Sequence, residues 1–215
     1  MQKIIDVYPP LLGSMLDIEK VPDLVFAEKM VGDGIAIEPF NNHIYAPISG
    51  IVKQIHKSKH AITISNEDGI NVLTHIGLDS VNLEGHGFKL DISVGDKVTC
   101  KQKIGEIDLD YVSQHAKALI TPVIFIDLDP ALASFKIIWQ EEAVLEKPVM
   151  QVTVIKKEIK NNTNSASPYA NLVKSAPITA LTLSNATKNS SFSFNTSVAI
   201  STNLKFSTCF FISLP

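Results

Sequence analysis

Two histidines, His60 and His75, flank a turn signal in residues 57–75, KSKHAITISNEDGINVLTH. Imidazole is the side chain whose ordinary pKa places its charge change near neutral pH. Two protonated rings side by side repel, so a close pair keeps at least one ring neutral. A neutral ring has one bare nitrogen, which can attack phosphorus or ligate a metal. A neighbour carrying N–H can hydrogen-bond the transferred phosphoryl group or fill a second metal position.

Whether the two rings meet depends on strand register. If Asn66–Gly69 closes the turn, antiparallel partners sum to 135 and His60 opposes His75. If Asp68 and Gly69 are the central turn residues, the sum is 137. His60 then faces Gly77, and His75 lies one diagonal step away on the same face. An even sum, from a three-residue loop or a bulge, puts the rings on opposite faces. Two of these three registers join the imidazoles, with Cβ atoms about 5–8 Å apart. A catalytic zinc site as a rule has three protein ligands, and no HxH, HExxH or CxxC supplies the third. The plain alternative is a pair of half-buried strand histidines. Spacing alone leaves phosphoryl chemistry, metal binding and a structural role open.

The elements that must carry the pair are short strands: IAI (35–37), HIYA (43–46), GIVKQI (50–55), AITIS (61–65), INVLTHI (70–76), KVTC (97–100), KIGEI (103–107) and TPVIFI (121–126). Turn residues separate them, including Asn66-Glu67-Asp68-Gly69 and Gly85-His86-Gly87. Helical periodicity is confined to residues 109–119 and 130–138. Regularly spaced strands with few helices predict an all-β sandwich or barrel.

The 215 residues, 45% hydrophobic and 19% charged, suffice for one large domain or one domain and a small second unit. All 22 acidic residues lie in 1–160 beside 16 lysines, whereas 161–215 holds three lysines, no acid, no glycine and 26 Ser, Thr or Asn. That shift predicts a domain over 1–157 and a polar segment over 158–215. The net charge of −3 and the absence of arginine argue against a nucleic-acid partner. No stretch has the roughly 18 uncharged apolar residues of a membrane span, and the start, MQKIIDVYPP, is no secretory signal. A cytoplasmic protein with free thiols at Cys100 and Cys209 is the expectation. The GDG at 32–34 lacks a strand–turn–helix setting and is no nucleotide motif.

Residues 21–39 (VPDLVFAEKMVGDGIAIEP), 46–55 (APISGIVKQI), 60–64 (HAITI), 69–81 (GINVLTHIGLDSV) and 83–89 (LEGHGFK) resemble the glucose-type IIA domain of the bacterial sugar phosphotransferase system. VGDKV (94–98) and TPVIFIDLD (121–129) continue the likeness, which covers roughly 3–156. The resemblance implies a compact antiparallel β-sandwich with a shallow active site and no cofactor or metal. It implies that phospho-HPr donates a phosphoryl group to the histidine of THIGLDSV, His75, which passes it to a cysteine of a sugar-specific IIB domain. His60 is then the second, phosphoryl-stabilising histidine. Ser58 stands where a Thr often orients that ring. Leu24, Val25 and Phe26 match apolar partner-binding positions, and Asp23 and Asp79 match acidic positions that meet a basic side chain of HPr.

The sequence departs from the family pattern at Thr74, Ser80 and His56; His56 stands where an aromatic residue is common. The chain starts almost at the first expected strand, so the membrane-seeking helix of some members is not expected, nor is membrane insertion. The sugar is set by the membrane transporter, with N-acetylglucosamine favoured over glucose. After residue 157, SPYANLVKSA (167–176) reads as a helix and TALTLS (179–184) and STCFFIS (207–213) as strands. That order faintly resembles HPr, with Ser165 and Ser167 over its active-site histidine and arginine; a polar disordered tail is the alternative. Competing readings of the whole are a regulatory module using the same face and zinc binding by the histidine pair. A lipoyl-type carrier, suggested by APISGIV, lacks a lysine at the NEDG turn.

Overall fold

The computed structural model describes residues 2–155. The expected boundary near 157, the helix and strands beyond it, and Ser165, Ser167 and Cys209 lie outside these residues. The chain runs β1 (Gln2–Val7), β2 (Gly13–Asp17), a 3-10 turn Ile18–Lys20, α1 (Leu24–Ala27), β3 (Asp33–Pro39), β4 (His43–Tyr45), β5 (Gly50–Ile55), β6 (Ala61–Ser65) and β7 (Asn71–His75). A second 3-10 turn, Ser80–Leu83, precedes β8 (Phe88–Leu90), β9 (Lys97–Val98), β10 (Lys103–Ile107), α2 (Leu109–His115), β11 (Thr121–Ile126), β12 (Ala133–Ile137), β13 (Glu142–Ala143) and β14 (Met150–Ile155).

Among the described residues every strand pair is antiparallel, as the resemblance implied. An eight-stranded sheet has the order β13-β2-β3-β11-β7-β6-β5-β9, and two three-stranded sheets have the orders β1-β14-β12 and β4-β10-β8. The large sheet buries both faces. Ile35, Ile37, Val72, Val123 and Phe125 enter the main core with Ile44, Ile104, Val152 and Val154 of the smaller sheets. The alternate residues Ala36 and Ile124 face a second cluster with Ile18, Val21, Phe26 and Leu78. Strands buried on two faces read as unbroken apolar runs, which is why IAI and TPVIFI show no alternation.

His75 is an odd-numbered residue of β7 and shares its face with Leu73, which packs on the second cluster. That smaller cluster is therefore the floor of the histidine site. It is covered by α1, the 3-10 turn Ile18–Lys20 and the loops holding Val21 and Leu78 rather than by another sheet.

One expected element differs. Residues 130–138 form no helix; Ala133–Ile137 is strand β12, paired with β14. Buried Ala133 and half-buried Phe135 alternate with exposed Ser134 and Lys136, and Phe135 lies 4.9 Å from Phe125, ring centre to ring centre. A period of two that meets a waiting sheet edge overrides weak helical spacing. The other expected helix forms over its first seven residues, with Asp108 accepting from Tyr111 N–H at its start.

Candidate active site

The turn between β6 and β7 uses the register whose parity puts the two rings on opposite faces. Ala61 pairs with His75 and Ile62 with Thr74, an even sum of 136. The loop has three residues, Glu67, Asp68 and Gly69. Asn66 Oδ1 accepts from Asp68 N–H (3.0 Å) and Ile70 N–H (2.9 Å), and Gly69 takes φ of 81°. Asn at the head of the turn and Gly at its left-handed position select this longer loop over the two-residue form.

Parity then places His60 and His75 on opposite faces, yet their rings meet at 4.7 Å, inclined by 75°. The reason is that His60 precedes the strand. It follows Lys59, whose φ is 58°, and β6 begins only at Ala61. Its carbonyl still accepts from Ile76 N–H at 2.7 Å, but a side chain at that break is not bound to the pleat's alternation. The neighbours expected from the sequence are present, through a different register.

The two rings have different surroundings. His75 is half-buried, and its Nδ1 lies 3.0 Å from Gly77 O. A carbonyl only accepts, so Nδ1 carries the proton and Nε2 is bare in the neutral ring. Burial lowers the His75 pKa below the usual value, opposed by the hydrogen bond to Gly77 O and by the nearby Asp23 charge. His60 is 4% exposed. Its pKa is pushed down to about 3 by burial and by the neighbouring His75 and His56. Both rings are thus neutral near pH 7, the state a nucleophilic nitrogen requires.

The support of His75 is where the sequence reading stopped short. Gly77 has φ of 74°, a left-handed conformation that turns its carbonyl back to the ring two residues earlier. Ser80, fully buried, donates to Ile76 O at 2.6 Å with Gly77 O 3.2 Å away, so it ties down the same turn. The signal was the Gly of HIGLDS, two residues after the histidine, with a small hydroxyl three residues later. A Cβ on Gly77 would sit 3.2 Å from Ala118 O and 3.3 Å from Ser80 Cβ. Gly77→Ala is therefore expected to lower stability by about 1–2 kcal/mol, the cost of the left-handed backbone. Urea unfolding measures that loss. The same change should populate the other His75 tautomer in imidazole nitrogen NMR.

The resemblance-derived residues divide by exposure. Asp23 opens α1 and accepts from Val25 N–H at 2.9 Å. Leu24 and Val25 are 70% and 44% exposed, whereas Phe26 is 6% exposed and packs 5.0 Å from the His75 ring. Phe26 is therefore part of the floor under the His75 ring and not an exposed surface residue. Asp79 is exposed with φ of 56° and makes no capping bond. Val81, not singled out from the sequence, is 43% exposed; its carbonyl accepts from the Ser58 hydroxyl at 3.2 Å. The expectation that this hydroxyl orients His60 is corrected on that point, because its hydrogen bond goes to Val81 and His60 Nδ1 has no partner.

Among the described residues no group of three or more His, Cys, Asp or Glu is arranged to hold a metal ion. A cavity of about 1090 Å³, lined by residues of β1, β5 and β9 and by Cys100, includes neither histidine. The histidine pair therefore lies outside that cavity, with His75 half-buried and Leu24, Val25 and Val81 exposed on neighbouring elements.

Residues 5–130 match the family described as the phosphoenolpyruvate-dependent sugar phosphotransferase system, EIIA 1. The chain belongs to this family. It is 40% identical over 156 residues to the glucose-specific EIIA component of Staphylococcus aureus strain COL, covering 72% of this chain and 93% of that protein. It is 45% identical over 123 residues to the glucose-specific EIICBA component of Staphylococcus carnosus, covering 57% of this chain and 18% of that longer protein. Among solved structures it is similar to glucose permease IIA from Mycoplasma capricolum, with a TM-score of 0.66 and 32% identity over 69% of this chain and 96% of that one. This IIA protein is a phosphoryl carrier in sugar uptake. No helix among the described residues is long and apolar enough to cross a membrane.

Proposed function

We propose that His75 is the phosphoryl-carrying residue, loaded by phospho-HPr and unloaded to a cysteine of a sugar-specific IIB domain. The observation that carries this reading is the His75 Nδ1–H bond to Gly77 O, which leaves Nε2 bare beside a second neutral histidine. In the first step the donor's P–N bond breaks as the Nε2–P bond forms. The donor ring, protonated at its other nitrogen, departs as neutral imidazole, and His75 keeps its Nδ1 proton on Gly77 O as the phosphorylated, cationic ring. In the second step the P–Nε2 bond breaks as a thiolate takes the phosphorus, and His75 returns to its starting tautomer. Such transfer has little covalent work for the protein beyond positioning and charge stabilisation. His60, with an N–H toward the transferred oxygens, offsets their charge in a poorly solvated setting where a donor has most effect. Glucose is the sugar proposed, from the names of the relatives, in place of the N-acetylglucosamine that the sequence favoured.

Phosphoenolpyruvate with the general phosphotransferase proteins is expected to place one acid-labile phosphate on His75, located by phosphorus NMR and mass spectrometry under neutral conditions. Absence of phosphate, or phosphate on another residue, would overturn the assignment.

Leu24 and Val25 form an apolar contact surface beside the histidines, with Asp23 and Asp79 as acids for a basic partner. Leu24→Lys places a charge where an apolar partner side chain would be desolvated. It is expected to raise KM for phospho-HPr about tenfold, or about 1.4 kcal/mol. Because Leu24 is exposed, kcat and the urea midpoint should stay near their original values.

A further inference from the structure

The site contains one polar atom that nothing in the description so far uses. His60 Nδ1 is buried and lacks a hydrogen bond, and the one hydroxyl expected to serve it, that of Ser58, donates to Val81 O. Without a partner at Nδ1, nothing decides which His60 nitrogen carries the proton. Yet the proposed role needs the proton on Nε2, facing the phosphoryl group, and a bare Nδ1.

A further ring contact of His60 is with His56, whose centre is 4.6 Å away with the planes inclined by 62°. His56 lies just past the end of β5, in the tight turn that leads to β6. Its backbone N–H donates to Ala61 O at 2.9 Å and its carbonyl accepts from Lys59 N–H at 2.7 Å. Its tautomer is set by the backbone, since Ser58 N–H donates to His56 Nδ1 at 3.2 Å. An amide nitrogen cannot accept, so His56 Nδ1 is bare and the proton of the neutral ring is on Nε2. His56 therefore holds a free N–H beside a ring whose buried nitrogen lacks a donor. Torsions about a histidine Cβ–Cγ bond are broad, and a hydrogen bond of about 3 Å is within reach of rings at this spacing.

We propose that His56 is a positioning residue of the site, donating its Nε2–H to His60 Nδ1 and so fixing His60 as an Nε2–H donor toward the phosphoryl group. The order is Ser58 N–H to His56, His56 N–H to His60, and His60 N–H to phosphate. His75, anchored on Gly77 O, closes the row with its bare nitrogen. The phosphate-facing end rests on the carrier reading above, whereas the His56–His60 bond does not. This assigns a task to the histidine that departs from the family's aromatic pattern, and accounts for a serine whose hydroxyl is engaged elsewhere.

The test uses the full chain with nitrogen-labelled imidazoles. His60 is expected to show a single Nε2–H tautomer in the unphosphorylated protein. His56→Phe keeps a ring of similar shape and removes the donor, and should convert His60 to a mixture of tautomers. His56→Gln, with an amide N–H, should restore the single form. In transfer assays His56→Phe should lower kcat roughly 10-fold, the scale on which a group fixing a functional histidine through its other nitrogen acts, with KM changed less than about 2-fold. His56→Gln should recover most of that loss. An unchanged His60 tautomer in His56→Phe overturns the proposal. So does conversion by Ser58→Ala in its place, which would return the task to the hydroxyl. Because the tautomer is read before any phosphate is added, a chain that fails to take phosphate counts against the carrier reading alone.

Discussion

Replacing His75 by glutamine is expected to reduce phosphate incorporation from phospho-HPr to background, a loss of more than about a thousandfold. Glutamine can still offer an amide N–H to Gly77 O, so the contact that anchors residue 75 has a substitute. What it lacks is a basic nitrogen with a lone pair directed outward. The amide lone pair is delocalised into the carbonyl and does not attack phosphorus. Loss of transfer should therefore occur with little loss of fold. Phe26 keeps its place in the second cluster, and urea unfolding should stay within about 1 kcal/mol of the parent chain. Phosphorus NMR after incubation with phosphoenolpyruvate and the general phosphotransferase proteins reads the result. A stable phosphate signal of parental size in the His75→Gln chain would show that another residue is the carrier.

The sequence made the strands around the site legible because short β-branched apolar runs bounded by turn residues mark β5, β6, β7 and β11 independently of tertiary contacts. Register was less accessible. Whether Asn66 begins a two- or three-residue loop depends on small differences in turn energetics, and His60 turned out to sit at a break where pleat parity no longer applies. The pair was found because both residues lie at the same end of one hairpin, a property that survives a one-residue slip.

Helix α1 shows the opposite limit. Four residues, Leu24–Ala27, have too few turns to sustain a helix alone. The Asp23 cap and the burial of Phe26 against Leu78 and Ile124 hold it in place, and neither contact is visible from local pattern. The same burial explains why three consecutive apolar residues that look equivalent in sequence divide into one floor residue and two surface residues. Likewise the support of His75 by Gly77 and Ser80 is a turn geometry, readable only once φ and the carbonyl directions are known. Membership in the family fixes the likeness of the fold and the system served; the hydrogen bonds of this chain decide which nitrogen of each histidine is available.

The second large effect concerns His60→Leu, which removes a donor and a titrating group from a buried position while retaining apolar volume. Loss of one positioned donor at a developing charge typically lowers transfer by about a hundredfold or more, so phosphoryl passage through His75 should fall by about that factor. Stability should move the other way. In the folded chain His60 titrates at about 3, held down by burial and by its two histidine neighbours, against 6.5 when unfolded. Between those values the unfolded chain binds a proton that the folded chain does not, so stability falls as pH falls from 6.5 toward 3. At pH 5 the difference of 1.5 pH units from the unfolded pKa amounts to a loss on the order of 2 kcal/mol from this group. His75, whose pKa is also lowered by burial, adds to the loss in the same direction. His60→Leu abolishes its own share. The variant should unfold at higher urea than the parent at pH 5, and the gap should shrink by about 2 kcal/mol on raising the pH to 7.5. Parallel stability curves for the two chains between pH 5 and 7.5 would mean that His60 accepts a proton in the fold, and with it that the site is not the dry, neutral pair on which the transfer chemistry depends.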